Sequence, residues 1–342
     1  MKQSPLSMVL LSLILITNVG IGAMLFLQSQ KPQETVLALP ITTATPPAIT
    51  NRSAPAAIAP QLPTATISPP PTVAPFCGRT GSLKILVVGS DASGGTVPPG
   101  ADLVRVVKVD FDQKKIIVFA FPRDLWVNTP GLAAQRINAT TLGRVYDYAY
   151  KAGQLENPRD DRPQVVNGTL AIAQTLYDNY ELSPEHYVTI KLSNLPQMID
   201  TLGGIIVNVP ALLRTDRYVF RPGTQLLNGA MTASYIRYLD TTEWERISRQ
   251  NLVLGALRQK LLSPAVLPKL PDLFRLSSDS IVTSLGTEHI GSLACVLKES
   301  GNVQIVQDNV HADMVMAGPQ PRSMLPNVKA VQDLLRQLTL IP

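Results

Sequence analysis

The chain has 342 residues, 45% hydrophobic and only 16% charged, with a net charge of +5, three histidines and two cysteines. A modest positive charge with no basic run and no stripe of aromatics and arginines argues against a nucleic-acid partner, while it suits an anionic ligand. His186, His289, His311 and the two cysteines lie far apart and leave almost nothing from which to build a His/Cys zinc centre, so any metal is expected to be a hard, oxygen-bound one.

Leu6 to Leu27 is a run of 22 uncharged residues, which as a helix would span roughly 33 Å and cross a bilayer core. A cleaved signal peptide is the alternative, with Val36-Leu37-Ala38 as its small-residue site, but the run is long for an h-region and that site lies well beyond it. From Pro32 to Pro75 there are 11 prolines in 44 residues, interleaved with Thr, Ala and Ser. Such a tract favours extended conformations and cannot offset its ordering entropy by burial, so it reads as a spacer.

The folded part is expected to begin near Cys77. Leu83–Val88 and Lys115–Phe121 are near-continuous apolar runs with Val104–Phe111 between them, the pattern of strands buried on both faces of a central sheet. Arg162–Tyr180 has helical spacing, Tyr187–Leu192 reads as a strand and Asn194–Thr201 as a short helix. Gly203-Gly204 turns into the strand Ile205–Val209. Glu243–Leu262 is a long amphipathic helix that either Thr241 or Thr242 could cap. Beyond Pro264 the pattern predicts a helix over Thr287–Lys298, a strand over Val303–Gln307 and a closing helix over Asn327–Leu338. The expected fold is three-layer α-β-α with a central mixed sheet, preceded by one transmembrane helix.

Two strand ends carry chemistry. Val88-Gly89-Ser90-Asp91 leads into a glycine-rich loop, with Asp102 just past it, and Phe121-Pro122-Arg123-Asp124 leaves the second run. Ligands of open α/β sheets sit at the carboxyl edge of the strands, so these segments can converge on one cleft. Two carboxylates there, Asp91 and Asp102, suit Mg²⁺ or Mn²⁺ joined to substrate phosphates; each Asp taken alone is equally a turn or strand-end cap. Arg237 is followed by Glu243, Arg246, Arg249 and Gln250. On a helix 243, 246 and 250 share one face with 249 beside it, and the arginine forks with the Gln could clamp a diphosphate. A solvated, salt-bridged helix face is the plainer reading.

Together these residues resemble the LytR-CpsA-Psr family, whose members attach glycopolymers to cell walls. The resemblance runs from Leu83 to about Leu262, with residues 263–342 as a looser C-terminal extension. It is carried by ILVVGSD, Asp102, FAFPRD, Arg136-Ile137-Asn138-Ala139, YVTIKLSNLPQMIDTLGGIIVNVP, GTQLLNG with Arg237 after it, and EWERISRQ.

The resemblance implies a Mg²⁺-assisted phosphotransferase. Its substrate is a glycan on a polyprenyl pyrophosphate, its acceptor a cell wall or envelope hydroxyl, and the prenyl chain lies in an apolar tunnel. By position Asp91 and Asp102 match the metal-binding aspartates, and Arg123, Arg237, Arg246, Arg249 and Gln250 the phosphate-binding residues. Glu243 stands where the family has an aspartate that could orient or deprotonate the acceptor hydroxyl. Gly100 and Leu239 stand where arginines are usual and Leu103 where a threonine is, which weakens the clamp; Arg214, Arg217 and Arg221 are candidate substitutes. A non-catalytic polyprenyl-phosphate-binding or attenuator module and a pyrophosphatase are the competing functions.

The implied organisation is a short cytoplasmic segment (1–5), an anchor (6–27), a linker (28–76) and an extracytoplasmic domain (77–342) of a single-pass cell-membrane protein. Cys77 and Cys295, one on each flank of an exported domain, suit a disulfide, with two isolated thiols as the alternative. Protease applied to intact spheroplasts should release a fragment that starts between Pro32 and Pro75. Protection until the membrane is permeabilised would reverse the orientation.

Overall fold

The computed structural model describes residues 75–90, 100–129, 133–138, 162–261, 263, 266 and 281–342. The apolar run Leu6–Leu27, the proline-rich tract up to residue 74, and Asp91 lie outside them. No helix among the described residues is long and apolar enough to cross a membrane.

In chain order the structure contains β1 (Ser82–Ser90), β2 (Ala101–Asp110), β3 (Lys115–Phe121), β4 (Trp126–Val127), β5 (Gln135–Arg136), α1 (Arg162–Tyr180), β6 (His186–Lys191), α2 (Leu195–Thr201), β7 (Ile205–Val209), β8 (Leu213–Arg214), β9 (Val219–Phe220) and β10 (Gly223–Leu227). Then follow α3 (Gly229–Arg237), α4 (Glu243–Leu261), β11 (Ile281–Thr283), α5 (Thr287–Lys298), β12 (Gln304–Asn309), β13 (Val315–Ala317), β14 (Met324–Pro326) and α6 (Val328–Gln337).

The protein is a mixed α/β fold around a mixed sheet of order β11-β6-β1-β2-β3-β12. β1 is parallel to β6 and β3 to β12, while β2 is antiparallel to both β1 and β3. The carboxyl ends of β1 and β3 and the amino end of β2 therefore meet at one edge of the sheet.

Strand side chains alternate between faces, and here both faces are apolar. Leu86, Val88, Val104, Val106, Ile117 and Phe119 form one core with Leu176 of α1 and Leu335 of α6. The intervening residues Leu83, Ile85, Val87, Val107, Val109 and Val118 form the other with α2, α3, α4 and α5, through Ile199, Tyr235, Leu257 and Leu293.

Local chemistry fixes the elements next to the site. Gly203 and Gly204 adopt φ of +78° and +84°, a left-handed turn open to glycine, before β7 pairs with β10. A Cβ at Gly229 would collide with the Pro196 carbonyl, so α3 starts hard against α2 only because it starts on glycine. Thr242 rather than Thr241 caps α4. Its Oγ accepts from the Glu245 amide at 3.2 Å while the Glu245 carboxylate accepts from the Thr242 amide at 2.8 Å, a reciprocal capping box. The Trp244 indole donates to the Val310 carbonyl at 3.0 Å and fastens this end of α4 beside the end of β12.

Cys77, in the turn Phe76–Gly78, is bonded to Cys295 of α5 across 218 residues of sequence, with 5.5 Å between the Cα atoms. A loop of that length makes the bond worth about 5 kcal/mol in the chain-entropy account. Reductant, or Cys77→Ser, should move the urea midpoint of the folded chain down by a large part of that value. Two freely alkylatable thiols in non-reducing peptide maps would remove the bond and the expectation with it.

Candidate functional site

Asp102 owes its position to an irregularity in the sheet. Gly89 pairs with Leu103 and Ser90 with Ala101, so Asp102 is the extra residue of a bulge in β2. A bulge re-aims the side chain it carries, here at the edge where β1 and β3 end. Arg123, two residues past β3, reaches the same point: its Nη1 donates to Asp102 Oδ1 at 2.6 Å. Its backbone amide donates to Glu243 Oε1 at 3.2 Å, and its Nε lies 3.8 Å from both the Asp124 and the Glu243 carboxylates. Burial pulls the Arg123 pKa down, but Asp102, Glu243 and Asp124 together carry it above the ordinary arginine value.

Arg246 closes the arrangement from α4. Its Nε donates to Glu243 Oε2 at 2.7 Å, its Nη2 to Glu243 Oε1, and its Nη1 to the Asp102 backbone carbonyl at 3.0 Å. Glu243 thus holds one guanidinium in a fork-to-fork ion pair and the amide of a second arginine. Asp102, Arg123, Glu243 and Arg246 form one continuous polar network spanning β2, the exit of β3 and the first turn of α4. Asp124, buried beside it, has its carboxyl pKa raised by desolvation.

Three concavities surround this network. An open depression of about 670 Å³ is lined by Arg123, Asp124, Glu243, Arg246, Arg322 and Met324. A second, of about 560 Å³, is lined by Arg217, Tyr218, Ser234, Arg237 and Tyr238; the two share Leu239 and Asp240 as their divide. The third is a narrow slot of about 50 Å³, walled by Val87, Leu103, Leu195, Met198 and Leu254 among others, with Arg105 and Gln250 on its wall. Leu103 follows Asp102 in the chain and Gln250 lies one helical turn beyond Arg246, so the slot and the polar network use the same two elements.

The predicted site residues divide accordingly. Asp102, Arg123, Glu243 and Arg246 come together, and Gln250 stands on the slot wall. Arg237 is exposed and lines the neighbouring depression, where Arg217 is the one substitute candidate beside it. Arg249 points elsewhere: its Nε donates to the Tyr235 carbonyl at 2.8 Å, and its Nη2 to the Tyr238 carbonyl at 2.6 Å and Thr241 Oγ at 3.0 Å. It closes the carboxyl end of α3, and desolvation lowers its pKa. Asp91 lies outside the described residues. Ser90, which precedes it, is fully buried with no hydrogen-bond partner for its hydroxyl among the described residues.

The LytR_cpsA_psr family matches residues 53–335. The chain belongs to this family. Over 215 residues it is 24% identical to TagU of Oceanobacillus iheyensis, named a polyisoprenyl-teichoic acid–peptidoglycan teichoic acid transferase, covering 62% of each chain. Over 197 residues it is 28% identical to the regulatory protein MsrR of Staphylococcus aureus, covering 56% of this chain and 53% of that one. The chain thus spans between half and two thirds of these relatives. B. subtilis TagV shares the fold with a TM-score of 0.55 at 19% identity, over 77% of this chain and 99% of that one. TagT bound to LIIa-WTA does so with a TM-score of 0.51 at 17% identity, over 75% and 90%.

Within this LytR-CpsA-Psr chain the sequence reading passed over Arg105, a charge at a core-facing position of β2. Its Nη2 donates to Asn251 Oδ1 at 2.8 Å, and burial with the nearby Arg246 charge pushes its pKa down to about 10. The signal was present as one arginine inside VRVVKV, on the face shared with Val107 and Val109.

Arg249→Met should lower the unfolding free energy by about 2–4 kcal/mol, because it leaves buried carbonyls of α3 without donors. Gln250→Met, on the slot wall, should change it by less than about 1.5 kcal/mol. Urea denaturation compares the two, and equal midpoints would refute the structural role of Arg249.

Proposed function

We propose that this protein moves a glycan phosphate from a polyprenyl-pyrophosphate carrier to a cell wall or envelope hydroxyl, working outside the membrane that its N-terminal apolar run would cross. One observation carries the reading. An apolar slot and an acid and arginine network are built on neighbouring residues of β2 and α4, which is the shape of a site for an amphiphile with an anionic head. The transferase names of the relatives support the reaction class.

In this reading the hydrocarbon chain enters the slot past Leu103 and Gln250, and the pyrophosphate meets Arg123 and Arg246. These guanidiniums are already oriented by carboxylates, so little reorganisation is needed when negative charge grows on the phosphate oxygens. The oxygen-only donors at the strand edge fit a hard cation. Asp102 with Asp91 would hold Mg²⁺ together with phosphate oxygens, and the ion would supply further neutralisation of charge. Glu243 keeps Arg246 and the Arg123 amide in place. It would accept the acceptor's proton in competition with its ion pair to Arg246. The depression containing Arg123 and Arg322 is where the acceptor hydroxyl would approach.

A second reading, binding without transfer, is favoured by Leu239. It is 44% exposed at the divide between the two depressions, where the family usually has an arginine.

The test uses the full-length chain with a polyprenyl-pyrophosphate-linked oligosaccharide, with and without peptidoglycan oligomers. Release of polyprenyl phosphate only when acceptor is present is the expected result, and Asp102→Asn should slow it by about a hundredfold or more at an unchanged melting temperature. Release without acceptor would identify a pyrophosphatase. Saturable binding with no release would identify the non-catalytic module.

A further inference from the structure

The chain from β7 to β10 folds as a hairpin that gives the core only one of its sides. Ile205, Val207, Val209, Phe220 and Leu227 are buried in the core that also holds α4. Strand side chains alternate, so the residues between them point outward. Ile206 of β7 and Leu226 of β10 are direct cross-strand partners, yet they are 60% and 62% exposed. Leu212, next to β8, and Val219 of β9 are exposed as well. Single exposed aliphatics need no explanation, but several on one hairpin, two of them paired, form a patch that water does not favour.

Charge gathers on the same hairpin. Arg214 stands opposite Val219 across β8 and β9, Arg217 lies in the turn between these strands and Arg221 follows β9. All three are exposed, and Asp216 is the one acidic residue from Ile205 to Leu227. Aliphatic side chains among guanidiniums match a surface with anionic headgroups over a hydrocarbon interior. A soluble polyanion would leave Ile206 and Leu226 in water, and a second copy of the hairpin would set arginine against arginine.

The placement of the hairpin agrees. Phe76 and Cys77, where the described chain begins, pack against the same core as its inward residues, and the disulfide ties this entry to α5. The route from the apolar run Leu6–Leu27 and the hairpin thus lie on one side of the central sheet, with α1 and α6 on the other. The turn between β8 and β9 also lines the depression that contains Arg237, so this face adjoins the candidate site.

We propose that the outward side of this hairpin docks on the anionic phospholipid surface of the membrane that holds the chain, with Ile206, Leu226, Leu212 and Val219 entering the headgroup layer and Arg214, Arg217 and Arg221 on the phosphates. A tether alone limits distance, whereas a docking face also sets orientation. The inference rests on the membrane placement in the transferase reading and not on transfer itself.

The experiment uses the full-length chain in nanodiscs whose phospholipids carry brominated acyl chains. Leu226→Trp puts an indole on the hairpin, and Tyr177→Trp puts one on the exposed side of α1, across the sheet. Quenching beyond that of the native Trp126 and Trp244 reports contact with lipid. In mixed phosphatidylglycerol and phosphatidylcholine, Leu226→Trp should be quenched several-fold more than Tyr177→Trp. The excess should shrink several-fold in phosphatidylcholine alone, at high salt, and when Arg214→Gln, Arg217→Gln and Arg221→Gln are added. Adding Ile206→Ser should reduce it too, at an unchanged melting temperature.

Absence of excess quenching for Leu226→Trp, or equal quenching for Tyr177→Trp, overturns the proposal, as does indifference to lipid charge and to the three arginines. A blue shift of the Leu226→Trp indole in detergent that grows with protein concentration would identify a second copy as the occupant instead. If the quenching pattern holds while polyprenyl phosphate is never released, the transferase reading falls and the docking face stands.

Discussion

The ion pair between Glu243 and Arg246 is the constraint on which the rest of the site depends. Both residues occupy the first turn of α4, and the capping box of Thr242 and Glu245 decides where that turn begins. Paired in this way, Arg246 reaches the Asp102 carbonyl on the bulge of β2, and Glu243 reaches the Arg123 amide at the exit of β3. A helix and two strands are thus stitched together at the edge where ligands of α/β sheets bind. Because the pair is nearly buried, removing one partner would leave an uncompensated charge and disturb the geometry of Asp102 and Arg123 together.

Three arginines near this point are almost fully buried, and each is compensated differently. Arg246 has a carboxylate, Arg249 has backbone carbonyls and a hydroxyl at the end of α3, and Arg105 has the side-chain oxygen of Asn251. The kind of compensation separates their roles. An arginine held by a carboxylate is oriented and electrostatically poised, and one committed to the carbonyls closing a helix acts as a capping element. Residue identity on α4 alone does not distinguish these fates, because Arg246 and Arg249 are three positions apart on the same helix.

The apolar slot and the open depressions divide the surroundings by polarity. The slot lies in the core between β2, α2 and α4, and the depressions lie over the strand edge, with Leu239 on the divide between them. This geometry suits a molecule with one hydrocarbon end and one charged end, approached by a polar partner from the open side. It also gives Leu239 a meaning that its position in the sequence lacks, since an arginine there would face both depressions at once.

The sequence by itself determined the α/β class, the family, the two apolar strands buried on both faces, the helix beginning at Glu243 and the acidic and basic residues at the strand ends. These are legible because hydrophobic runs, caps and glycine turns act over a few residues, and because the motifs recur in order. Only the tertiary structure decided that Asp102 sits on a bulge and that Thr242 rather than Thr241 caps α4. It alone decided that Arg249 closes α3, and that Arg237 faces a separate depression. Arg105 entered the slot for the same kind of reason. Where a long side chain points depends on which carboxylate, carbonyl or apolar wall the packing of distant segments brings within its reach, and no local pattern encodes that.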